Sequence, residues 1–219
     1  MTTQTTAAAE NNDILVNLLT KTVRFYKQNT KRVLIALAIL VLVVTLVIIY
    51  TNHQKKITEN SWAAYYTAQI TLLQEGEEAG FKRLDQVTVD FKGTPAADYA
   101  QLLKGDMLYS TENFAQAANV YKEVTSSTNE MVRTLATVSQ AAALQASQDY
   151  KSSIDIMNDF IAKNSKSFAL PQAYLTLALS QELAGDKAQA IESYKYLLEN
   201  YTKTYFGTVA KNKLSELQK

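Results

Sequence analysis

One helical face returns at a fixed interval along most of the chain. In NFAQAANVYKEV (residues 113–124), Ala117, Tyr121 and Val124 occupy positions i, i+4 and i+7. The same face returns in DKAQAIESYKYL (186–197) and, more loosely, in DYKSSIDIMNDF (149–160). Aligned on the small residue, Ala117, Ser153 and Ala190 are spaced by 36 and 37 residues. A further step of 37 back reaches Gly80, followed by Leu84 and Val87. Twelve residues before each anchor stands another small residue: Ala68, Gly105, Ala141 and Ala178. Paired small residues predict helical hairpins whose backbones approach closely at a crossing. The larger residues one and two turns on then fill the neighbouring grooves. Those are Leu84, Tyr121, Met157 and Tyr194 at +4, and Val87, Val124, Phe160 and Leu197 at +7. Four hairpins are predicted. Thr94-Pro95 and Leu170-Pro171 open first helices, because proline suits the first helical turn. The polar stretches KGT (92–94), STN (127–129) and KNSKS (163–167) connect the units. YFGTVAKNKLSEL is a closing helix, with Val209 and Leu214 over the last hairpin and its Lys and Glu toward water.

Ahead of the repeats the pattern disappears. Val33 to Tyr50, VLIALAILVLVVTLVIIY, is apolar on every face and carries no charge. Eighteen residues make about 27 Å of helix, close to the roughly 30 Å hydrocarbon core of a bilayer. It is too long for the apolar region of a cleaved signal peptide and reads as an uncleaved anchor. Lys21, Arg24, Lys27, Lys31 and Arg32 precede it, against Lys55 and Lys56 after it. That bias predicts a cytoplasmic N-terminus and an extracytoplasmic remainder. Met1 to Asn12 has the composition of a disordered leader, and Asp13 can cap a following helix. Ile14, Leu15, Leu18, Leu19, Val23 and Tyr26 recur at helical spacing, with Lys21, Arg24 and Lys27 elsewhere. This is either a basic amphipathic helix on the inner leaflet or a charged extension that only sets topology. The division is then 1–32 leader, 33–50 transmembrane helix and 51–219 repeat domain, an all-α chain.

Composition narrows the chemistry. Glycine (6) and proline (2) are scarce, as in a mostly helical chain. There is no cysteine and one histidine, His53, so thiolate sites and histidine-based metal sites or triads are absent. No phosphate-binding glycine loop, zinc-protease or serine-hydrolase signature occurs. Acidic pairs such as Glu77-Glu78 fall at expected solvated turns, and Asn200-Tyr201-Thr202 is a lone glycosylation sequon. From Ile57 on, 15 Lys and Arg face 19 Asp and Glu, a net of −4. Such a domain offers no basic stripe for nucleic acid. No enzymatic activity and no cofactor are expected.

The small-residue pair with aromatic and apolar residues at +4 and +7 resembles the tetratricopeptide repeat. Tyr174, Leu177 and Gly185 also sit at that family's upstream apolar and turn positions. The interval is longer than the family's 34 residues, the unit-ending proline is missing, and the unit at Gly80 is degenerate. The resemblance implies an α-solenoid whose first helices line a concave face. On that frame the inward residues include Trp62, Tyr65, Gln69, Tyr99, Leu102, Asp106, Tyr109, Leu135, Val138, Gln145, Leu175, Leu179 and Glu182. Aromatic and apolar residues of this kind serve as protein anchors. The set lacks the Lys, Arg and Asn with which some members clamp a carboxylate terminus.

The wider layout resembles the bacterial YfgM-type ancillary subunits of the Sec translocon. It rests on the F-x-x-x-N-x-K approach (Phe25, Asn29, Lys31), the span, and its direct run into SWAAYYTAQITLL and divergent repeats. The resemblance implies an inner-membrane protein with a periplasmic repeat domain. It also implies association with the Sec channel, a periplasmic chaperone and secreted client polypeptides. The alternative is an envelope-assembly or division scaffold, since LLENYTKTYFGTVAKNKLSEL resembles repeat endings in such proteins, which use a cleaved signal instead.

Overall fold

The computed structural model describes the backbone of residues 3–217 and the side chains of residues 16–217 other than Tyr26. The helices are α1 (Thr3–Glu75), α2 (Glu77–Asp90), α3 (Pro95–Ser110), α4 (Phe114–Val124), α5 (Glu130–Ala146), α6 (Tyr150–Lys163), α7 (Leu170–Leu183), α8 (Lys187–Asn200) and α9 (Tyr205–Leu217). No strand occurs among the described residues. The chain forms two compact units, residues 1–56 and 57–219.

The first unit is the leader and the apolar run. Its backbone is helical from Thr3, where composition predicts disorder, so Asp13 lies within the helix rather than at its start. Ala7 to Ala9 and Glu10 are good helix formers, and they outweigh the polar character of the segment. The side chains of Ile14, Leu15 and Tyr26 lie outside the described residues. The helix kinks at Asn29 (φ −125°, ψ 26°). There the Asn29 amide donates to the Phe25 carbonyl at 3.2 Å, a side chain inserted into the main-chain ladder. Beyond the kink, Leu34 to Tyr50 present their apolar side chains outward. The Thr45 hydroxyl bonds back to the Val41 carbonyl at 2.8 Å, so it needs no partner from another helix. Among the described residues this is the one helix long and apolar enough to cross a membrane.

The second unit is a row of helical hairpins: residues 57–75 of α1 with α2, α3 with α4, α5 with α6, and α7 with α8, closed by α9. All the paired small residues are buried, from Ala68 and Gly80 to Ala178 and Ala190, as are the +4 and +7 residues. The crossings are tight. A Cβ on Gly105 would stand 2.5 Å from Cε1 of Tyr121, and one on Gly80 would stand 2.8 Å from Cα of Leu72. At the third crossing Ser153 replaces alanine. Its hydroxyl donates to the Ala141 carbonyl at 2.8 Å and lies 2.9 Å from the Ser180 hydroxyl.

One turn closes three of the hairpins. Glu112, Gln148 and Gly185, each five residues before the anchor, have φ of 61°, 69° and 88°. The next amide in each case reaches back five residues, as in Asn113 to Leu108 (2.8 Å), Asp149 to Leu144 (2.8 Å) and Asp186 to Gln181 (2.9 Å). Asp149 and Asp186 then cap the second helix by accepting from Ser152 and Gln189. At the far end, Ala210 and Leu214 of α9 are buried against Tyr194 and Leu197, with Val209 beside them.

Successive first helices touch one another, α3 with α5, α5 with α7, and α7 with α9. No such contact joins α2, α4, α6 and α8 among the described residues. The row is therefore narrower on the first-helix side, which is its concave face.

Two substitutions test the packing. Gly105→Ala should destabilise by about 1–3 kcal/mol, because the Tyr121 ring has nowhere to go. Gln148→Gly should stabilise by about 0.5–1 kcal/mol by relieving a left-handed residue. Thermal unfolding of the two variants, moving in opposite directions, checks both.

Candidate protein-binding groove

The first helices meet the concave side with different chemistry along its length. At the α1–α3 end, Trp62, Tyr65, Tyr66 and Tyr99 form one aromatic cluster. Trp62 lies 5.7 Å edge-on from Tyr65, 6.1 Å stacked from Tyr66 and 5.5 Å tilted from Tyr99, between ring centroids. These separations are those at which ring pairs attract. The Gln69 amide donates to the Tyr65 hydroxyl at 3.1 Å and fixes that ring. Tyr109, 38% exposed, packs edge-on to Phe114 at 5.1 Å. Trp62, Tyr65, Gln69 and Tyr99 are half-buried, and Tyr66 and Asp106 are exposed.

Asp106 sits between this cluster and the buried Tyr121, whose hydroxyl donates to its Oδ1 at 2.6 Å. Although Asp106 is exposed as a residue, partial desolvation of its carboxyl beside the Tyr121 hydroxyl raises it above the usual carboxylate value, and the Tyr121 bond opposes that rise. The Tyr121 phenol is pushed far up, first by burial and then by the Asp106 carboxylate. Tyr65 is also raised, by burial first, then by Tyr66, Asp106 and Tyr99, which places these groups within electrostatic reach of one another.

Other residues expected on this face do different work. Leu102, Val138 and Leu175 are 6–7% exposed and belong to the core clusters, because adjacent first helices pack along that seam. Gln145 donates to the Thr176 carbonyl (3.2 Å) and the Ser180 hydroxyl (3.1 Å), tying α5 to α7. Glu182 is occupied twice, by the Tyr194 hydroxyl at 2.7 Å and by Lys213 Nζ at 2.9 Å. It joins α7, α8 and α9, and it holds the Lys213 ammonium above its usual value. Leu179 is half-buried against the last cluster. Leu135 is exposed. Of the residues expected to face a partner, the structure brings together Trp62, Tyr65, Gln69, Tyr99 and Asp106, with Tyr109 and Leu135 further along. Tyr66 and Phe114 were not anticipated, although the Tyr65-Tyr66 pair is a signal the sequence carries.

A row of antiparallel helix pairs with concave first helices and a capping helix defines an α-solenoid. Residues 23–156, more than half of the chain, match the tetratricopeptide repeat-like domain family, and residues 172–204 match the tetratricopeptide repeat. The chain belongs to the tetratricopeptide repeat-like domain family. No curated protein matches it by sequence. Among solved structures it is similar to a putative kinesin light chain of Podosopora anserina with nearly identical TPR-like repeats, at 13% identity and TM-score 0.56, covering 73% of this chain and 86% of that one. It is similar to a double mutant of MamA RS-1 at 15% identity and TM-score 0.53, covering 72% and 94%. MamA of Desulfovibrio magneticus RS-1, residue 41 to the end, matches at 14% identity and TM-score 0.51, covering 72% and 93%. At these identities the likeness is one of fold.

The geometry around Asp106 makes a testable statement about charge. Tyr121→Phe removes the one contact that lowers the Asp106 carboxyl, so its titration midpoint should rise. A raised carboxyl favours the folded state once protonated. That stabilisation is present below the unfolded carboxylate value and is lost as pH rises through the folded one. Carboxyl-carbon NMR of Asp106 in wild type and Tyr121→Phe checks the direction. An unchanged midpoint would mean that the bond contributes nothing.

Proposed function

We propose that this chain is a single-pass membrane protein whose repeat domain docks protein partners on the aromatic end of its concave face. Aromatic side chains with a polar tip suit that role, since they bury large areas at little entropic cost. The observation that carries the reading is that one family match, residues 23–156, takes in both the apolar run and the first hairpins. An exposed apolar run such as Leu34 to Tyr50 is untenable in water and is at home in a bilayer. The basic residues before it favour a cytoplasmic leader and a repeat domain on the opposite side.

In the reading supported by the F-x-x-x-N-x-K approach, the span and the helix after it, the protein is an ancillary subunit of the Sec translocon in the bacterial inner membrane. Its periplasmic repeats would link the channel to a chaperone and to secreted clients. The other reading, an envelope-assembly or division scaffold, draws on the closing stretch LLENYTKTYFGTVAKNKLSEL, whose opening residues fall within the tetratricopeptide match at residues 172–204.

Photocrosslinking in cells from Tyr99 and Tyr109 separates these readings. Adducts with Sec channel subunits or a membrane-anchored chaperone support the first, and adducts only with cell-wall or division proteins sink it. In a separate pull-down of the partners so captured, replacing both tyrosines by alanine should lower recovery by about tenfold, with little loss of thermal stability. Unfolding without loss of recovery would make them core residues.

A further inference from the structure

The aromatic end of the groove holds a carboxylate without a cation. Among the described residues no lysine or arginine pairs with Asp106, whose side-chain partner is the Tyr121 hydroxyl. The nearest lysine on its own helix, Lys104, is engaged elsewhere: it pairs with Asp85 at 2.6 Å and lies 5.9 Å above the Phe81 ring. The other carboxylate expected on this face, Glu182, already has Lys213. The faces of Trp62, Tyr65 and Tyr99 lie in the same cluster, and π-faces attract cations within about 6 Å of the ring centre. The repeat domain as a whole is acidic, at net −4 by 15 basic against 19 acidic residues.

We infer that the groove between α1 and α3 recognises a polypeptide segment carrying an arginine or lysine flanked by apolar residues. The cation sits among Trp62, Tyr65 and Tyr99 and pairs with Asp106, and the apolar neighbours lie along Tyr109 and Leu135. This rests on the reading of the concave face as a protein-binding surface and adds the chemistry it selects. A cation placed beside Asp106 favours its ionised form and offsets the effect of burial. Acidic segments are rejected by the same carboxylate, so the site discriminates by charge as well as by surface.

Trp62 is the chain's one tryptophan, so its emission reports on this site directly. The experiment titrates the full chain, in nanodiscs, with a short blocked peptide bearing one arginine between leucines. Copies with citrulline or glutamate in place of the arginine serve as controls. The arginine peptide should change Trp62 emission saturably, and citrulline should weaken binding about tenfold. Asp106→Asn keeps an acceptor for Tyr121 and should weaken the arginine peptide by a similar factor while leaving the citrulline peptide unchanged. Raising salt should weaken only the arginine peptide. Equal affinity for the arginine and citrulline peptides would overturn charge recognition and leave a groove that reads apolar surface. No response to any peptide would overturn the protein-binding groove as well. The peptide comparison needs no protein variant, so it decides the matter even if Asp106→Asn fails to fold.

Discussion

Everything in the repeat domain depends on how closely two helices can approach at a pair of small residues twelve positions apart. Where Gly105 meets the Tyr121 ring, or Gly80 meets the backbone at Leu72, a single added methyl has no room. The close approach fixes the hairpin, and it directs the +4 and +7 side chains into the next unit. Tyr121 and Tyr194 are the largest fully or nearly fully buried side chains, and both do this. Their hydroxyls emerge at the concave edge, where each meets a carboxylate: Asp106 for the first and Glu182 for the second. The packing constraint and the chemistry of the groove are thus joined through the same two tyrosines.

The two ends of the concave face differ because those carboxylates have different neighbours. At the α7–α9 end, Lys213 of the capping helix pairs with Glu182 and completes a latch that covers the last hairpin. A solenoid needs such a polar cap to end. At the α1–α3 end, no lysine among the described residues pairs with Asp106, which instead accepts from Tyr121 and lies within electrostatic reach of Tyr65. One face therefore has a structural end and an end with unused recognition chemistry, and protein binding is proposed at the latter.

Much of this was legible in the sequence. Interval, small-residue pairs and turn residues all speak of local helix packing, and local periodicity survives in a single sequence. The misplacements have one cause. A repeat frame says that Leu102, Val138 and Leu175 point inward, but not that adjacent first helices close over them. The repeat frame turns Gln145 and Glu182 toward a partner but says nothing of Ser180 and Lys213, which engage them from 35 and 31 residues away in the chain. Such long-range polar pairings leave no periodic trace. The polar residues of the leader speak for disorder, whereas its alanines carry enough helix propensity to extend α1 to Thr3.

In this fold the crossing face is locked while the aromatic end of the first-helix face stands open. The chain contains no cysteine, so single cysteines can be placed without background. The most direct measurement is the maleimide labelling rate of Tyr109→Cys and Ala117→Cys in the whole chain, reconstituted in nanodiscs. Labelling should be rapid at position 109 and should occur at position 117 only after denaturation. Equal rates at the two positions in the native protein would contradict it.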